Sequence, residues 1–200
     1  LTAFGDTFGD WTGPGGGGGD WRSNVLLRST DTDLSDGMSF DSAVEDRPGH
    51  AGEIIPSLKQ PGVEHTTIPT AGVEVDGVQY LAFMSVRQWG PPGLWDTNFS
   101  RIAYSSDGGA TWNSTDGPTW ENPGAETSEG DHPFQMVAFE KHGGYVYMFG
   151  TPNGRAGAAH VARVVESSIL DKAAYEYWTG SAWERGEGAD VRAAAIVDPA

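Results

Sequence analysis

The sequence contains no cysteine, which excludes disulfide bonds and thiolate metal sites. Positive charge is scarce as well, because 12 lysines and arginines stand against 28 aspartates and glutamates, for a formal net charge of −16. A chain this acidic repels phosphate groups, so we expect neither nucleic acid nor an anionic membrane as a partner. No run of apolar residues approaches the roughly 18 that a membrane-spanning helix needs. The chain is therefore predicted to be a globular domain with an acidic, solvated surface.

Aromatic residues are plentiful, and they occur in short segments that are typical of β-strands. They make up 11% of the 200 residues and include eight tryptophans, enough to build the core of one domain. Runs rich in Val, Tyr and Phe are separated by turn pairs, as in "EVDGVQY" and "EKHGGYVY", where Asp76-Gly77 and Gly143-Gly144 predict hairpin turns. Only "ILDKAAYEYW" (169–178) predicts a helix. The fold class is predicted to be all-β.

The predicted strands fall into three groups, at about 1–47, 64–120 and 131–188. Groups of this length, each forming a small antiparallel sheet, indicate the blades of a β-propeller, although a β-sandwich stays open. The segment "SSDGGATW" (105–112) resembles the Asp-box hairpins of sialidases and related propellers. In that motif Asp107 binds backbone amides and Trp112 packs beneath, so we assign both residues to the scaffold rather than to catalysis.

The opening stretch "FGDTFGDWTGPGGGGGDWRSN" (4–24) contains the best candidates for chemistry. Hydrolysis of a glycoside needs two carboxyl groups facing one bond. Asp6 lies in an apolar strand and is predicted to be the nucleophile, whereas Asp20 is predicted to be the general acid, with a pKa raised by the ring of Trp21. The five glycines between them would let the two carboxyls approach the roughly 5 Å of a retaining enzyme. The roles are exchangeable, and another carboxyl could replace Asp20.

Two further acid–histidine pairs open the later groups and are predicted to face the substrate. Glu64 and His65 open the second group, and Asp131 and His132 open the third. Either carboxylate is an alternative to Asp20. These pairs are therefore candidates for contact with a sugar.

The loop "VRQWGPPGLWDTNFS" (86–100) is the second informative loop. Trp89 and Trp95 flank a stiff Pro-Pro-Gly bend, and Asn98 follows them. Rings in such a loop either stack on sugar faces or cap the edge of the fold, and both readings stay open. The aspartates between Asp31 and Asp41 lack the closing glutamate of an EF-hand, so we predict no metal.

Several blocks together resemble a known family: "GDTFG", "DWRSNVLLRSTD", "TTIPTAGVEVDGVQYLAFMSVRQWG", "WDTNFSRIAYSSDGGATW" and "YVYMFGTPNGRAGAAHVARV". They resemble the DUF4185 family and, more narrowly, the endo-D-arabinanases of glycoside hydrolase family 183. The resemblance implies a secreted bacterial or phage enzyme with a five-bladed propeller, of which about three blades fit in the sequence. It implies retaining cleavage of D-arabinofuranosyl linkages in the arabinogalactan and lipoarabinomannan of mycobacterial walls.

On this basis the whole chain, 1–200, is predicted to be one catalytic domain that binds polysaccharide as a monomer and needs no cofactor. Asp6 and Asp20 are its predicted catalytic residues. The predicted substrate-binding residues are Trp21, Asn24, Glu64, His65, Trp89, Trp95, Asn98, Asp131 and His132. The alternative is a non-catalytic propeller that binds glycans on a cell or phage surface.

Overall fold

The computed structural model describes residues 1–10, 18–123 and 131–198, and this part of the chain is built from β-strands. In chain order the strands are β1 (Thr2–Phe4), β2 (Thr7–Asp10), β3 (Gly19–Arg22), β4 (Val25–Arg28), β5 (Ser42–Ala43), β6 (Glu45–Arg47), β7 (His50–Ala51), β8 (Thr66–Val75), β9 (Val78–Trp89), β10 (Trp95–Ser105), β11 (Thr119–Glu121), β12 (Met136–His142), β13 (Tyr145–Thr151), β14 (Ala159–Val165), β15 (Glu176–Trp178), β16 (Trp183–Glu184) and β17 (Ala195–Val197). Two short 3-10 helices, Glu166–Ser168 and Lys172–Ala174, are the helical elements of the described residues. The all-β prediction is confirmed.

Three larger antiparallel sheets follow one another along the chain, as the three sequence groups predicted. The first has the order β1-β4-β5, the second β11-β10-β9-β8, and the third β12-β13-β14-β15-β16 with β17 on β14. The hairpins β2–β3 and β6–β7 form two smaller sheets. Among the described residues, no sheet closes on itself.

The two predicted hairpins form because their turn residues adopt positive φ. Asp76 and Gly77 have φ values of 50° and 81°, and Gly143 and Gly144 have 60° and 81°. Each pair joins strands that stay in register up to the turn, at Val75↔Val78 and at His142↔Tyr145. Two-residue turns of this kind match the twist of the flanking strands. Both hairpin predictions are confirmed.

The hydrophobic core fills the spaces between successive sheets. One cluster joins the second and third sheets around Trp120, Phe134 and Met148, and another joins the first and second sheets around Leu26 and Phe83. The first strand of the second sheet, β8, packs against β12 and also contacts β1. β8 is therefore the neighbour of the first strand of each of the other two large sheets.

Two local predictions were tested by the same packing. The predicted helix at 169–178 is wrong, because Tyr175 and Tyr177 are buried at 1% and 3% exposure and β15 pairs with β14 instead. The Asp-box prediction is confirmed. Asp107 Oδ1 accepts a hydrogen bond from the Thr111 amide at 2.9 Å, and the half-buried Trp112 packs against the core between the first and second sheets.

Candidate functional site

Polar side chains gather at one end of the second sheet, where β8 begins, β9 ends and β10 begins. Thr66 and Thr97 are both partners of Val86, one on each side, so the three residues form a row across the sheet. Directly paired residues share a face, and two strand spacings place the two threonines roughly 10 Å apart. Both threonines are fully buried, so their hydroxyl groups need partners. Those partners are provided by residues at the ends of the first and third sheets.

Asp6 lies at the Thr66 end of the row, two residues after β1. Its Oδ1 accepts hydrogen bonds from Trp21 Nε1 at 2.9 Å and from Thr66 Oγ1 at 2.7 Å. Within the described residues, no donor binds its Oδ2, and the residue is exposed. One carboxylate oxygen is therefore fixed while the other remains available, which suits a nucleophile that must approach a carbon in line.

Trp21 is held tightly enough to orient that carboxylate. Its ring stacks on Phe8 with centroids 6.4 Å apart and meets the edge of His65 at 5.5 Å. Lys59 Nζ lies 5.2 Å from the ring centroid and donates to the Trp21 carbonyl at 2.7 Å. Lys59 is itself paired with Glu53 at 2.7 Å. Contacts on several sides therefore fix the direction of the Trp21 N–H.

Asp20 lies on the other face of the β2–β3 hairpin. A side chain at Gly9 would collide with Asp20 Oδ2, so the Asp20 carboxylate lies on the Gly9 face of the hairpin. Asp6 contacts the Trp21 ring, which lies on the opposite face together with Phe8. Three residue positions along the hairpin separate the two aspartates, which corresponds to roughly 10 Å. The structure does not bring Asp6 and Asp20 onto one face. The prediction that the glycine run folds them together concerns residues 11–17 in part, and these lie outside the described residues.

The expectation that Asp20 has a raised pKa is wrong. His50 Nε2 lies 2.9 Å from both of its carboxylate oxygens, and Arg22 Nη1 lies 3.3 Å from Oδ2. The hydrogen bond from His50 lowers the pKa of Asp20, and the charges of Arg22, His50 and Arg47 lower it further. The pKa is lowered and not raised because these charged groups surround the carboxylate, whereas the Trp21 ring extends from the opposite face of the hairpin.

Asp131 lies beyond the Thr97 end of the row and resembles Asp6 in its contacts. Its Oδ1 accepts hydrogen bonds from Asn153 Nδ2 at 3.0 Å and from Asn122 Nδ2 at 3.3 Å. Asn153 Oδ1 in turn contacts Thr97 Oγ1 at 2.5 Å. Asp131 is exposed, and Oδ2 has no partner within the described residues. Within the part of the chain that the structure describes, the row thus has at each end a carboxylate held through one oxygen.

Glu64 and Asn98 lie next to the row but are committed to contacts within the protein. Glu64 accepts from the Leu58 amide at 3.0 Å and from Ser85 Oγ at 2.6 Å, which engages both carboxylate oxygens. Asn98 Nδ2 donates to Ser85 Oγ at 3.0 Å, and Asn98 Oδ1 accepts from Arg87 Nε at 2.9 Å. These two residues brace the junction of β8, β9 and β10.

Two of the predicted binding residues are buried away from any ligand. Asn24 has 0% exposure, and its side chain accepts from the amides of Ile54 and Ile55 and donates to Ile55 and Thr67. His132 has 5% exposure; its Nδ1 accepts from the Phe134 amide and its Nε2 lies 3.3 Å from Asp190 Oδ2. Both side chains therefore hold segments of the fold together.

Trp89 and Trp95 line a cleft of about 460 Å³ between the second and third sheets. Their rings meet edge to face, with centroids 5.9 Å apart. Trp95 is 9% exposed and packs on Met84, whereas Trp89 is 42% exposed. The Arg155 amide donates to the Gly93 carbonyl at 3.1 Å and ties the two loops beside the cleft together. Trp89 therefore exposes part of its ring in the cleft, and Trp95 supports it from the core.

A comparison with models of protein families matches residues 1–200 to a domain of unknown function, DUF4185. The chain belongs to the DUF4185 family. No curated protein matches it. Membership of the family, as the sequence blocks predicted, is therefore confirmed, and the narrower assignment to the endo-D-arabinanases stays a prediction.

Other parts of this DUF4185 domain offer less chemistry. A larger cavity of about 590 Å³ lies near the opposite end of β8, and Leu1, Tyr80 and Trp112 are among the residues that line it. In the described ranges, no group of three or more histidines and acids is arranged to hold a metal. Asp31 instead accepts hydrogen bonds from the amides of Asp33 and Ser39. No helix in the same ranges has the length and apolar character of a membrane span.

Sequence reasoning missed His50, Thr66 and Asn153, which connect the acids of this DUF4185 domain. His50 approaches Asp20 across 30 residues of chain, and Asn153 approaches Thr97 across 56. No local pattern predicts contacts at such separations. Only the position of Thr66 directly after the pair Glu64–His65 hinted at a role.

Proposed function

We propose that this DUF4185 domain is a retaining, endo-acting glycoside hydrolase that cleaves D-arabinan, with Asp6 as the nucleophile. The observation that carries the proposal is the state of Asp6, whose Oδ1 is fixed by Trp21 and Thr66 while Oδ2 accepts no hydrogen bond from the described residues. The resemblance to endo-D-arabinanases supports the choice of substrate. A secreted enzyme would meet such a polysaccharide outside the cell.

In this reaction Asp6 Oδ2 attacks the anomeric carbon, and the bond to the departing sugar oxygen breaks. A second carboxyl group protonates that oxygen and then takes a proton from the water that releases the sugar from Asp6. Asp131 resembles Asp6 in its contacts, because it is exposed and, among the described residues, held through one oxygen. It lies beyond the far end of a row of roughly 10 Å, however, so the two carboxyls would have to move together to reach the roughly 5 Å of a retaining pair. Asp20 stays the alternative from the sequence, although its lowered pKa favours a base over an acid.

We also propose that the three large sheets are blades of a five-bladed propeller. The contacts of β8 with β1 and with β12 support this arrangement, because propeller blades place one edge strand of each blade at the axis. Thr66 and Asp6 would then lie close to the axis, and the row would run outward from them to Thr97. Trp89 would bind a sugar ring further along the polysaccharide.

The decisive experiment is incubation of the protein with mycobacterial arabinogalactan, followed by analysis of released oligosaccharides. Asp6→Asn should lower kcat by more than roughly a thousandfold with unchanged thermal stability. Asp76→Asn is the matched control, since Asp76 lies exposed at the β8–β9 turn and asparagine tolerates its positive φ. A variant of the acid/base carboxyl should retain activity on substrates with a good leaving group and be rescued by azide, which discriminates between Asp131→Asn and Asp20→Asn.

A non-catalytic glycan-binding domain is the second candidate. It is favoured by the placement of Asp20 on the face away from Asp6, which leaves Asp6 without an acid on its own hairpin. Binding of arabinan without release of oligosaccharides, unchanged in Asp6→Asn, would support this candidate and overturn the hydrolase.

A further inference from the structure

The β6–β7 hairpin contacts the β2–β3 hairpin through the side chain of His50. His50 Nδ1 lies 2.6 Å from Asp46 Oδ1, and its Nε2 lies 2.9 Å from each oxygen of Asp20. Two arginines surround the contact: Arg22 Nη1 lies 3.1 Å from His50 Nε2, and Arg47 Nη2 lies 3.9 Å from Asp20 Oδ1. We name these five residues, Asp20, Arg22, Asp46, Arg47 and His50, the clasp.

The clasp fixes the strand that orients Asp6. Asp20 directly precedes Trp21 in β3, so holding the Asp20 carboxylate on one face holds the indole on the other. Arg22, the next residue, also donates to the Ala51 carbonyl in β7 at 3.3 Å. Asp20 itself has a positive φ of 58°, which aspartate adopts more readily than most residues, and its partners in the clasp hold the carboxylate in this conformation.

We propose that His50 is a positioning residue, whose doubly protonated ring holds β3 so that the Trp21 N–H stays directed at Asp6. The catalytic consequence rests on the proposed hydrolase, but the positioning of Trp21 does not. With both ring nitrogens protonated, one N–H donates to Asp46 and the other to Asp20. When the ring loses a proton while keeping the bond to Asp46, the Nε2 lone pair faces the Asp20 carboxylate. Arg22 Nη1, which lies 3.1 Å from Nε2 and 3.3 Å from Asp20 Oδ2, faces a second donor while Nε2 is protonated and can donate to Nε2 once that proton is lost.

The direction of the pH dependence follows from the clasp. The hydrogen bonds to Asp46 and Asp20 raise the pKa of His50, while His50 lowers the pKa values of both aspartates. The clasp is therefore complete between the ordinary carboxyl value of about 4 and the ordinary imidazole value of about 6.5. It weakens as the pH rises through the raised pKa of His50 and, at the acid end, as the pH falls through the lowered pKa values of the aspartates.

The indole N–H of Trp21 provides a readout that needs no substrate. In ¹⁵N-indole NMR spectra, with the resonance assigned from Trp21→Phe, we expect a shift as the pH is raised from 5 to 9. The midpoint should coincide with the titration of the His50 ring and lie above about 6.5. His65→Gln, which removes the histidine ring at the edge of the indole, should leave this step in place. If catalysis also occurs, kcat should fall through the same midpoint, with KM changing by less than about twofold.

Three variants test the assignment. His50→Gln should abolish the alkaline step in the Trp21 resonance and lower kcat by roughly tenfold to a hundredfold, the effect of a small misplacement. Asp46→Asn keeps the contact between His50 and Asp20 but removes the negative charge of Asp46. Because the hydrogen bond to that carboxylate raises the pKa of His50, the midpoint should move to lower pH. His142→Gln is the control, because His142 lies exposed at the end of β12, and it should leave the step unchanged.

The outcomes separate the two proposals. If His50→Gln removes the alkaline step in the Trp21 resonance, the clasp is supported. If the same protein releases no oligosaccharide from arabinan, the hydrolase is overturned. A step that persists in His50→Gln, or a midpoint unmoved by Asp46→Asn, overturns the clasp even if the hydrolase is active. If His50→Gln does not fold, Asp46→Asn decides the test, because the Asp46 side chain is half exposed and its replacement should leave the fold intact.

Discussion

Replacement of Asn24 by alanine is expected to destabilise the protein rather than to weaken the binding of a sugar. Asn24 has no exposed surface, and its Oδ1 accepts hydrogen bonds from the amides of Ile54 and Ile55 at 3.1 and 2.9 Å. Its Nδ2 donates to the carbonyl oxygens of Ile55 and Thr67 at 2.8 and 3.0 Å. The side chain thus joins the end of β3 to the segment before β8.

The size of the effect follows from the groups that alanine would leave unpaired. The two amides of Ile54 and Ile55 lose their acceptor inside the protein, at about 1–3 kcal/mol for each buried donor. The Ile55 carbonyl keeps a hydrogen bond from Thr67 Oγ1, so its loss is smaller. A total of about 4 kcal/mol corresponds, for a domain of this size, to a fall of about 8–16 °C in Tm.

Calorimetry and urea unfolding measure this loss directly, and the midpoint should fall with little change in slope. Asn153→Ala is the matched comparison, because Asn153 is half-buried and binds Asp131 and Thr97 at the candidate site. It should reduce activity more than stability. A loss below about 1 kcal/mol in Asn24→Ala, with a large rise in KM, would refute the structural assignment and restore Asn24 as a binding residue.

Two further predictions concern the tryptophan cleft and the Asp-box. Trp95→Ala should cost about 3–5 kcal/mol, as expected for a core ring, whereas Trp89→Ala should weaken oligosaccharide binding with little change in Tm; equal losses of stability would mean that both rings are structural. Asp107→Ala should lower Tm near neutral pH, because hydrogen bonds from Thr111 lower the pKa of Asp107. That stabilisation is complete above about pH 4 and is lost as the pH falls through the lowered pKa, so the difference in Tm should shrink in acid. A difference that stays constant with pH would contradict this account.

Local patterns predicted the strands and turns well, because the physical causes of these elements are local. Asp76-Gly77 adopts positive φ within its own turn, and the Asp-box closes within seven residues of Ser105. The segment at 169–178 was misjudged because the burial of Tyr175 against Trp120, 55 positions away, outweighs its helical propensity.

The candidate site was predicted only in part, for the same reason. Asp6 could be identified as an acid among apolar residues, although it lies at a bend between β1 and β2 and not within a strand as predicted. The partner that sets the pKa of Asp20 lies 30 residues away at His50. The buried state of Asn24 likewise depends on Thr67, 43 residues further along the chain. A sequence indicates which residues can ionise or donate, whereas their pKa values and partners depend on the tertiary structure.

The contacts of Asp6 also have a consequence for the order of folding. The bond from Thr66 to Asp6 closes a loop of 60 residues, whereas the β8–β9 hairpin turns within two. Closing a long loop costs more chain entropy than closing a short one, so the hairpins can form before the sheets dock. Asp6 and Thr66 then meet only in the docked state, and any partial opening between the first two sheets separates them. Amide hydrogen exchange at Trp21 should therefore report such openings at a lower free energy than exchange in the middle of β9.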